Sequence, residues 1–448
     1  MKRFLTALSL SALVSGSAFA LTLEDAMHNV VATHPEILER IRDFRAVTQD
    51  KNIAFSGYLP TLDFTAAAGR EKSTNNNTNY QDVYLSRTEM AFILQWNLFR
   101  GGADQLNVSR QDSRISAASF RVMEVINEKT LETAQVYLAA LKQRQLLTLA
   151  QENVQTHERL YEQIQQRINA GIGAQSELEQ AASRLALAES NLVATQNNFN
   201  DAVVNFEKVY GESINPEAFT DPVNGSSIPE NFAILLEQGQ QHNPSLKVQR
   251  ANIDVATKNY HMSKAAYLPT VDLEVKQAWN KNIGGVRGDN DASSIMLRFT
   301  YNLYNGGADK ATRQKRISEL AKEKEVFSMM ERQNKERLGL AWNAFTMIDQ
   351  QMGYLERHRD LSQKTLALYN EEFNLGRRTL LDILDTEGEY YSAQRELTNA
   401  KYDKIFAKYR IFEQTGTLLQ AAGTQGLEMV GLADTGVSKA NELDTISQ

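Results

Sequence analysis

Two stretches of strict alternation stand out in a chain otherwise patterned for helices. Met90, Phe92, Leu94, Trp96 and Leu98 place apolar groups on one side, with Glu89, Gln95 and Asn97 among the residues of the other. This period of two marks a strand with one apolar face. Ile295, Leu297, Phe299, Tyr301 and Leu303 repeat the pattern against Ser294, Arg298, Thr300 and Asn302. Shorter signals precede each run, Leu62, Phe64 and Ala66 in the first case and Val271, Leu273 and Val275 in the second. The Asn- and Thr-rich segment 73–79 and the Gly-, Asn- and Asp-rich segment 280–291 read as turns between them. Each half of the chain is therefore expected to hold one β-hairpin, at about 61–99 and 270–304. Strands of about ten residues suffice to cross an outer membrane when tilted. A soluble sheet packed on helices would also bury one face, and the alternation alone leaves that alternative open.

The rest of each half is helical in pattern. Residues 103–170 contain neither Gly nor Pro and are rich in Ala, Leu, Gln, Glu and Arg, all good helix formers. A helix of that length would extend about 100 Å, too far to fold around one compact core. Leu131, Ala134, Leu138 and Leu141, then Leu147, Ala150, Val154, His157, Tyr161, Ile164 and Ile168, follow the three-four spacing of a heptad seam. His157 falls in that seam, where a hydrogen-bonded interface histidine is expected rather than a metal ligand. The second long helix is expected from 308 to 375. Each must reverse at a glycine, Gly171 or Gly376, because further helical stretches follow at about 174–210 and 379–415.

Self-comparison shows that the chain is written twice. His34-Pro35-Glu36-Ile37 recurs as Asn243-Pro244-Ser245-Leu246, and Tyr58-Leu59-Pro60-Thr61 as Tyr267-Leu268-Pro269-Thr270, both displaced by 209 residues. Asn97-Leu98-Phe99-Arg100-Gly101-Gly102-Ala103-Asp104 recurs as Asn302-Leu303-Tyr304-Asn305-Gly306-Gly307-Ala308-Asp309, displaced by 205. Pro60 and Pro269 mark the passage from helix to strand, and Gly101, Gly102, Gly306 and Gly307 the passage from strand to helix. The expected organisation is a first repeat over 21–210, a middle insertion of irregular structure over 211–242, a second repeat over 243–416, and a partly ordered tail over 417–448.

Composition narrows the function. Lys2 and Arg3, the apolar run 4–14 and Ala18-Phe19-Ala20 read as a secretory signal peptide over 1–20. Its removal leaves 46 basic against 55 acidic residues, a balance with no electrostatic reason to bind nucleic acid. The chain has no Cys and six His, so thiolate metal sites, disulfides, cysteine nucleophiles and a lipid-bearing N-terminal Cys are excluded. No catalytic constellation is present, and neither enzyme activity nor a cofactor is expected. Gly171-Ile172-Gly173-Ala174-Gln175-Ser176 imitates a dinucleotide loop only faintly, since it follows a helix and ends without Gly. No apolar run beyond residue 20 is long enough for a transmembrane helix, so a membrane could be entered only by strands closed into a barrel. Four strands are too few, because the smallest transmembrane barrels use eight, and the chain must pool strands with copies of itself.

The signal peptide, the doubled unit, the Leu-Phe-Arg-Gly-Gly and Leu-Tyr-Asn-Gly-Gly landmarks and the run Phe373-Asn374-Leu375-Gly376-Arg377-Arg378-Thr379-Leu380-Leu381-Asp382-Ile383-Leu384-Asp385 resemble the TolC family of outer membrane export ducts over about 22–416. The resemblance implies a mainly α protein with a small membrane β part. Long α-helical hairpins would form a homotrimeric α-barrel in the periplasm, capped by a 12-stranded β-barrel in outer membrane lipid. It implies partners as well: a periplasmic adaptor and an inner membrane ABC or RND-type transporter, with cargo that is either unfolded protein, in type I secretion, or small toxic compounds, in multidrug efflux. A coiled-coil scaffold without a pore is the alternative of another class. By the same resemblance Asp382 and Asp385, one turn apart, line the pore entrance, while Thr379 and Asp382 also have the spacing of a capping box. Arg378 is expected to latch the closed state against Ser176 and Glu177, with Phe373 replacing a commoner Tyr and so lacking its hydroxyl. The tip turns at Gly171, Gly376 and Arg377 would meet the adaptor.

Overall fold

Glycine and proline set the element boundaries. The computed structural model describes residues 20–222, 227–229 and 231–423; the signal-peptide expectation, except Ala20, and the tail from 424 onward lie outside the described residues. Helix α1 (Leu23–Thr33) is capped by Thr22, whose hydroxyl accepts from the Asp25 amide at 3.1 Å. Next come α2 (Pro35–Phe55), β1 (Thr61–Ser73), β2 (Val83–Arg100), α3 (Ala103–Asn169) and α4 (Gln175–Tyr210). The second half repeats the order with α5 (Phe232–His242), α6 (Pro244–Met262), β3 (Thr270–Lys281), β4 (Asp289–Thr300), α7 (Ala308–Asn374) and α8 (Leu380–Thr415), followed by a short α9 (Leu418–Ala421). The long helices α3 and α7 have 67 residues each and α4 and α8 have 36 each, so the duplication preserves helix length to the residue. None of the described helices is long and apolar enough to cross a membrane.

Two expectations are corrected. Residues 232–242 are helical, and α5 is displaced from α1 by the same 209 residues as the proline landmarks. The second repeat therefore begins at α5, and the irregular segment is confined to the residues before it. Its register is hidden in sequence by Gly239 and a run of glutamines, yet Phe232 packs on Trp342 with ring centroids 6.4 Å apart and Leu235 is fully buried. The tail likewise starts ordered, with Leu418 and Leu419 buried.

The chain divides into two compact units. One comprises, among the described residues, Pro35–Ile126 and Ala233–Arg337. Its sheet is antiparallel in the order β1-β2-β3-β4. Leu62 faces Leu94, Phe64 faces Phe92 and Ala66 faces Met90; Leu94 faces Val275, and Val275 faces Ile295. Residues directly opposite share a face, so the alternating apolar residues of all four strands gather on one side of the sheet. Asp63, Gln95, Asp272, Glu274, Lys276 and Arg298 belong to the other side. The apolar side lies open: Leu62, Phe64, Ile295, Leu297 and Phe299 are 58–74% exposed. A bulge between Asn97 and Phe99 interrupts the β2–β3 register at Leu98, and β4 stops at Thr300, so Tyr301 and Leu303 do not extend the strand as the alternation suggested. Gly101 shows why the strand-to-helix landmark is glycine. Its φ is +61°, and a Cβ there would stand 2.7 Å from the Ala265 carbonyl oxygen and 2.9 Å from the Leu268 Cβ. In the same unit α6 is tied to both long helices. Arg110 of α3 reaches Asn259 at 3.3 Å, and Gln249 donates to the Glu323 carboxylate of α7 at 2.8 Å.

The other unit comprises, among the described residues, those within 20–34, 127–232 and 338–423. Its core is built on Tyr137, Leu138 and Leu141 of α3, Phe199 and Phe206 of α4, Tyr402 and Phe412 of α8, and Leu23 and Met27 of α1. The Tyr137 hydroxyl lies 2.7 Å from the carbonyl oxygens of Leu21 and Thr220, and the Arg144 guanidinium donates to the Phe219 carbonyl at 2.8 Å. The connecting segment after α4 is thereby pinned to the middle of α3.

Candidate functional site at the helical turns

The turns that end α3 and α7 have one backbone design. Gly171 N donates to the Ile168 carbonyl and Ile172 N to the Arg167 carbonyl, both at 2.8 Å. In the second copy Gly376 N donates to Phe373 at 2.9 Å and Arg377 N to Glu372 at 2.8 Å. This pair of bonds satisfies the last helical carbonyls and needs a left-handed residue at its centre, which Gly171 and Gly376 supply with φ near +75°. The following helices start differently. Thr379 and Asp382 form a reciprocal capping box, the Asp382 carboxylate accepting from the Thr379 amide at 3.0 Å and hydroxyl at 2.8 Å. These donors, aided by the charge of Arg378, hold the Asp382 carboxyl below the usual carboxylate range. At the corresponding start of α4 Ala174 offers no side-chain cap.

Four helix ends meet around Phe373. It is 7% exposed and packs with Leu160 and Ile164 of α3, Ala181 of α4, and Leu380, Ile383 and Leu384 of α8. The Arg167 guanidinium stands 4.6 Å from its ring centroid, a favourable cation–aromatic arrangement. Phe373 is therefore core, and the hydroxyl of a Tyr there would have to enter an apolar cluster.

The expected contact of Arg378 with Ser176 and Glu177 is not made within the chain. Arg378 Nε donates to the Glu372 carboxylate at 2.7 Å, and its guanidinium lies 3.9 Å from the Tyr369 ring centroid. The Glu372 bond is the main reason its basicity is raised. Glu372 wins because the turn folds Arg378 back over the end of α7, whereas the Glu177 carboxylate lies over its own turn, 3.1 Å from where a Gly173 Cβ would be. Tyr369 belongs to the seam that runs into Phe373 four residues on, and Glu372 could have been sought as the nearest acid before the turn; neither entered the sequence reading. Asp385 does not stand alone either. Arg184 of α4 reaches it at 3.4 Å, a contact between distant residues that no local spacing announces.

One to two helical turns further along lies a buried polar layer. His157 is 7% exposed and its Nδ1 has no partner in the chain, so the hydrogen bond expected for it is not formed through that atom. Burial, with the positive charge of Arg184 second, holds the imidazole below its ordinary value. Glu387 is nearly as buried, and burial raises its carboxyl, with Arg159 pulling the other way.

The sequence matches the family described as outer membrane efflux protein over residues 26–212 and 235–417. The chain belongs to that family. The two matched segments coincide with the two repeats, beginning inside α1 and α5. The chain is 23% identical to the proteases secretion protein PrtF of Dickeya chrysanthemi over 91% of its own length and 90% of that protein, and 23% identical to outer membrane protein TolC of Escherichia coli strain K12 over 86% and 80%. Its fold resembles that of a crystallised membrane protein from Pseudomonas aeruginosa with a TM-score of 0.78 at 14% identity, covering 89% of this chain and 91% of the other. The chain is an outer membrane export duct of a Gram-negative bacterium.

Proposed function

We propose that three copies of the chain close one twelve-stranded barrel in the outer membrane, and that the duct so formed serves type I protein secretion. The observation that carries the trimer is the open sheet. Within the described residues β1 pairs only with β2 and β4 only with β3, while the exposed side is apolar. Two bare edges cannot persist in lipid, and an even number of strands lets β4 of one copy pair antiparallel with β1 of the next. The helices support the same assembly. Leu340, Met347, Tyr354, Leu361 and Leu368 of α7 recur every seven residues and are 55–71% exposed, a stripe that calls for a supercoiled neighbour. In this unit α8 contacts α3 through Lys142–Asp403, α7 through His358–Glu389 and α4 through Arg184–Asp385, while the apolar stripe of α7 stays exposed. On α4 Leu187, Val193 and Val204 are also exposed. A cyclic trimer needs two different faces that fit each other, and α7 of one copy against α4 of the next provides them.

Asp382 and Asp385 stand at the entrance in this reading, and the turns at Gly171, Gly376 and Arg377 meet a periplasmic adaptor that joins the duct to an inner membrane ABC transporter. Protein cargo is favoured by the likeness to a protease secretion protein over nearly the full length of both chains. Deletion of the gene tests the reading: specific proteins should vanish from the culture medium while drug sensitivity stays constant. Normal secretion with heightened drug sensitivity would instead assign the duct to a multidrug pump. A purified protein that remained monomeric in mild detergent would overturn the trimer.

A further inference from the structure

We infer that Arg184 tunes the charge of the entrance, so that the constriction is a partly arginine-compensated ring, less repulsive to acidic polypeptide and less attractive to cations than a bare acidic ring. The inference rests on the placement of Asp382 and Asp385 at the entrance proposed above. With threefold symmetry those two positions alone would set six carboxylates around one axis. The neighbours of each change that. Arg184 Nη2 lies 3.4 Å from Asp385 Oδ1, bringing one guanidinium per copy to that carboxylate. Asp382 has its Oδ2 occupied by two donors from Thr379, and Arg378 stands close enough to act on its charge.

The pair Arg184–Asp385 contributes little to stability, because both side chains are substantially exposed, at 42% and 62%, and such pairs are screened and entropically costly. Its effect on a pore is of another kind. Three Arg184 guanidinia beside three of the six carboxylates offset about half of the ring's charge along the axis, and a narrow, low-dielectric constriction magnifies the difference this makes. A polyanionic segment entering the duct meets weaker repulsion than a bare six-carboxylate ring would exert, and a multivalent cation meets a weaker negative site. Arg184 is thus a specificity-determining residue that leaves the fold to other contacts. Nothing local in the sequence marks it, since the corresponding residue of the second repeat, 205 positions on, is Glu389.

Single-channel recording in planar bilayers tests this with trimers of wild type, Arg184→Gln, Arg184→Lys, Asp385→Asn and Asp382→Asn, and with each aspartate variant combined with Arg184→Gln. The probes are the potassium-to-chloride permeability ratio and block by a trivalent cobalt ammine complex. Arg184→Gln should raise the affinity of the blocking cation about tenfold or more and shift the ratio toward potassium. Arg184→Lys should resemble wild type, and the double variant Arg184→Gln/Asp385→Asn should lose the gain. An Arg184→Gln channel with wild-type block and selectivity, while Asp385→Asn changes either, would overturn the compensation and leave the entrance where it was placed. If Asp385→Asn and Asp382→Asn alter neither property in either background, those residues are not at the constriction and both ideas fall together.

Discussion

Replacing Phe373 with Ala separates two views of the tip. If position 373 is a latch position, removing an aromatic that already lacks a hydroxyl should matter little, and Phe373→Tyr should tighten closure. The geometry requires the opposite. Phe373 is 7% exposed within an apolar cluster drawn from four helix ends. Truncation of a buried Phe to Ala costs about 3–5 kcal/mol, and loss of the Arg167 contact adds about 0.5–1 kcal/mol. Some of the cavity will be relieved because the turns lie at chain reversals, so about 3 kcal/mol is a reasonable local cost. At about 1.4 kcal/mol per factor of ten, local opening of the turn should become on the order of a hundredfold more frequent.

Hydrogen exchange on the purified trimer reads this directly. Amides from Glu371 to Leu384 should lose about two decades of protection in Phe373→Ala, with the Tyr137 region unchanged, and trypsin should gain access to the adjacent bonds after Arg377 and Arg378. Phe373→Leu, which keeps most of the volume, should lose about one decade. Phe373→Tyr should loosen the turn by burying a hydroxyl with no apolar-cluster partner. Unchanged exchange in Phe373→Ala, or tighter protection in Phe373→Tyr, would refute the core assignment and restore position 373 to the latch.

Further expectations follow from single contacts. Glu372→Gln should raise the open probability of the channel as much as Arg378→Ala does, because it removes the partner seen in the chain, whereas Glu177→Ala should leave it near wild type; the reverse order in bilayer recordings would return the latch to Glu177. His157 has a folded value below its ordinary one, so the unfolded chain takes up the proton first. Its contribution to stability is therefore intact at neutral pH and is lost as pH falls through about 6.5 toward the folded value. His157→Leu should flatten that part of the thermal-midpoint profile, and an unaltered acid slope would remove His157 as its source. Gly101→Ala forces a left-handed alanine whose Cβ meets the Ala265 carbonyl at 2.7 Å. It should cost about 1–3 kcal/mol and lower the yield of trimers resistant to sodium dodecyl sulfate, while Gly102→Ala, where nothing lies within 4 Å, should cost less; equal yields would refute the close-approach argument.

The elements readable from sequence were those whose ends are written in backbone chemistry. Pro60 and Pro269 precede strands that begin at the next residue, and Gly171 and Gly376 close helices within two residues of the expected points, because only proline's missing donor and glycine's positive φ make such boundaries cheap. What escaped was settled by choices among side chains. The two turns share their backbone bonds, yet the residue that leads into the bend is Arg167 in one and Glu372 in the other, at equivalent positions 205 apart. In the first turn Gly173 stands where Arg378 stands in the second, so no arginine can fold back, and Arg167 lies on Phe373 instead. In the second, Glu372 draws Arg378 back onto its own helix. Thr379 likewise caps where Ala174 cannot, leaving the start of α4 without the anchor that fixes α8. One duplicated backbone thus carries a self-secured turn at Gly376 and a turn at Gly171 held mainly by packing. Unequal anchoring of this kind predicts faster amide exchange at the start of α4 than at the start of α8, and equal exchange would refute it. The asymmetry is written in the repeats themselves, as Arg167 against Glu372, Gly173 against Arg378 and Ala174 against Thr379.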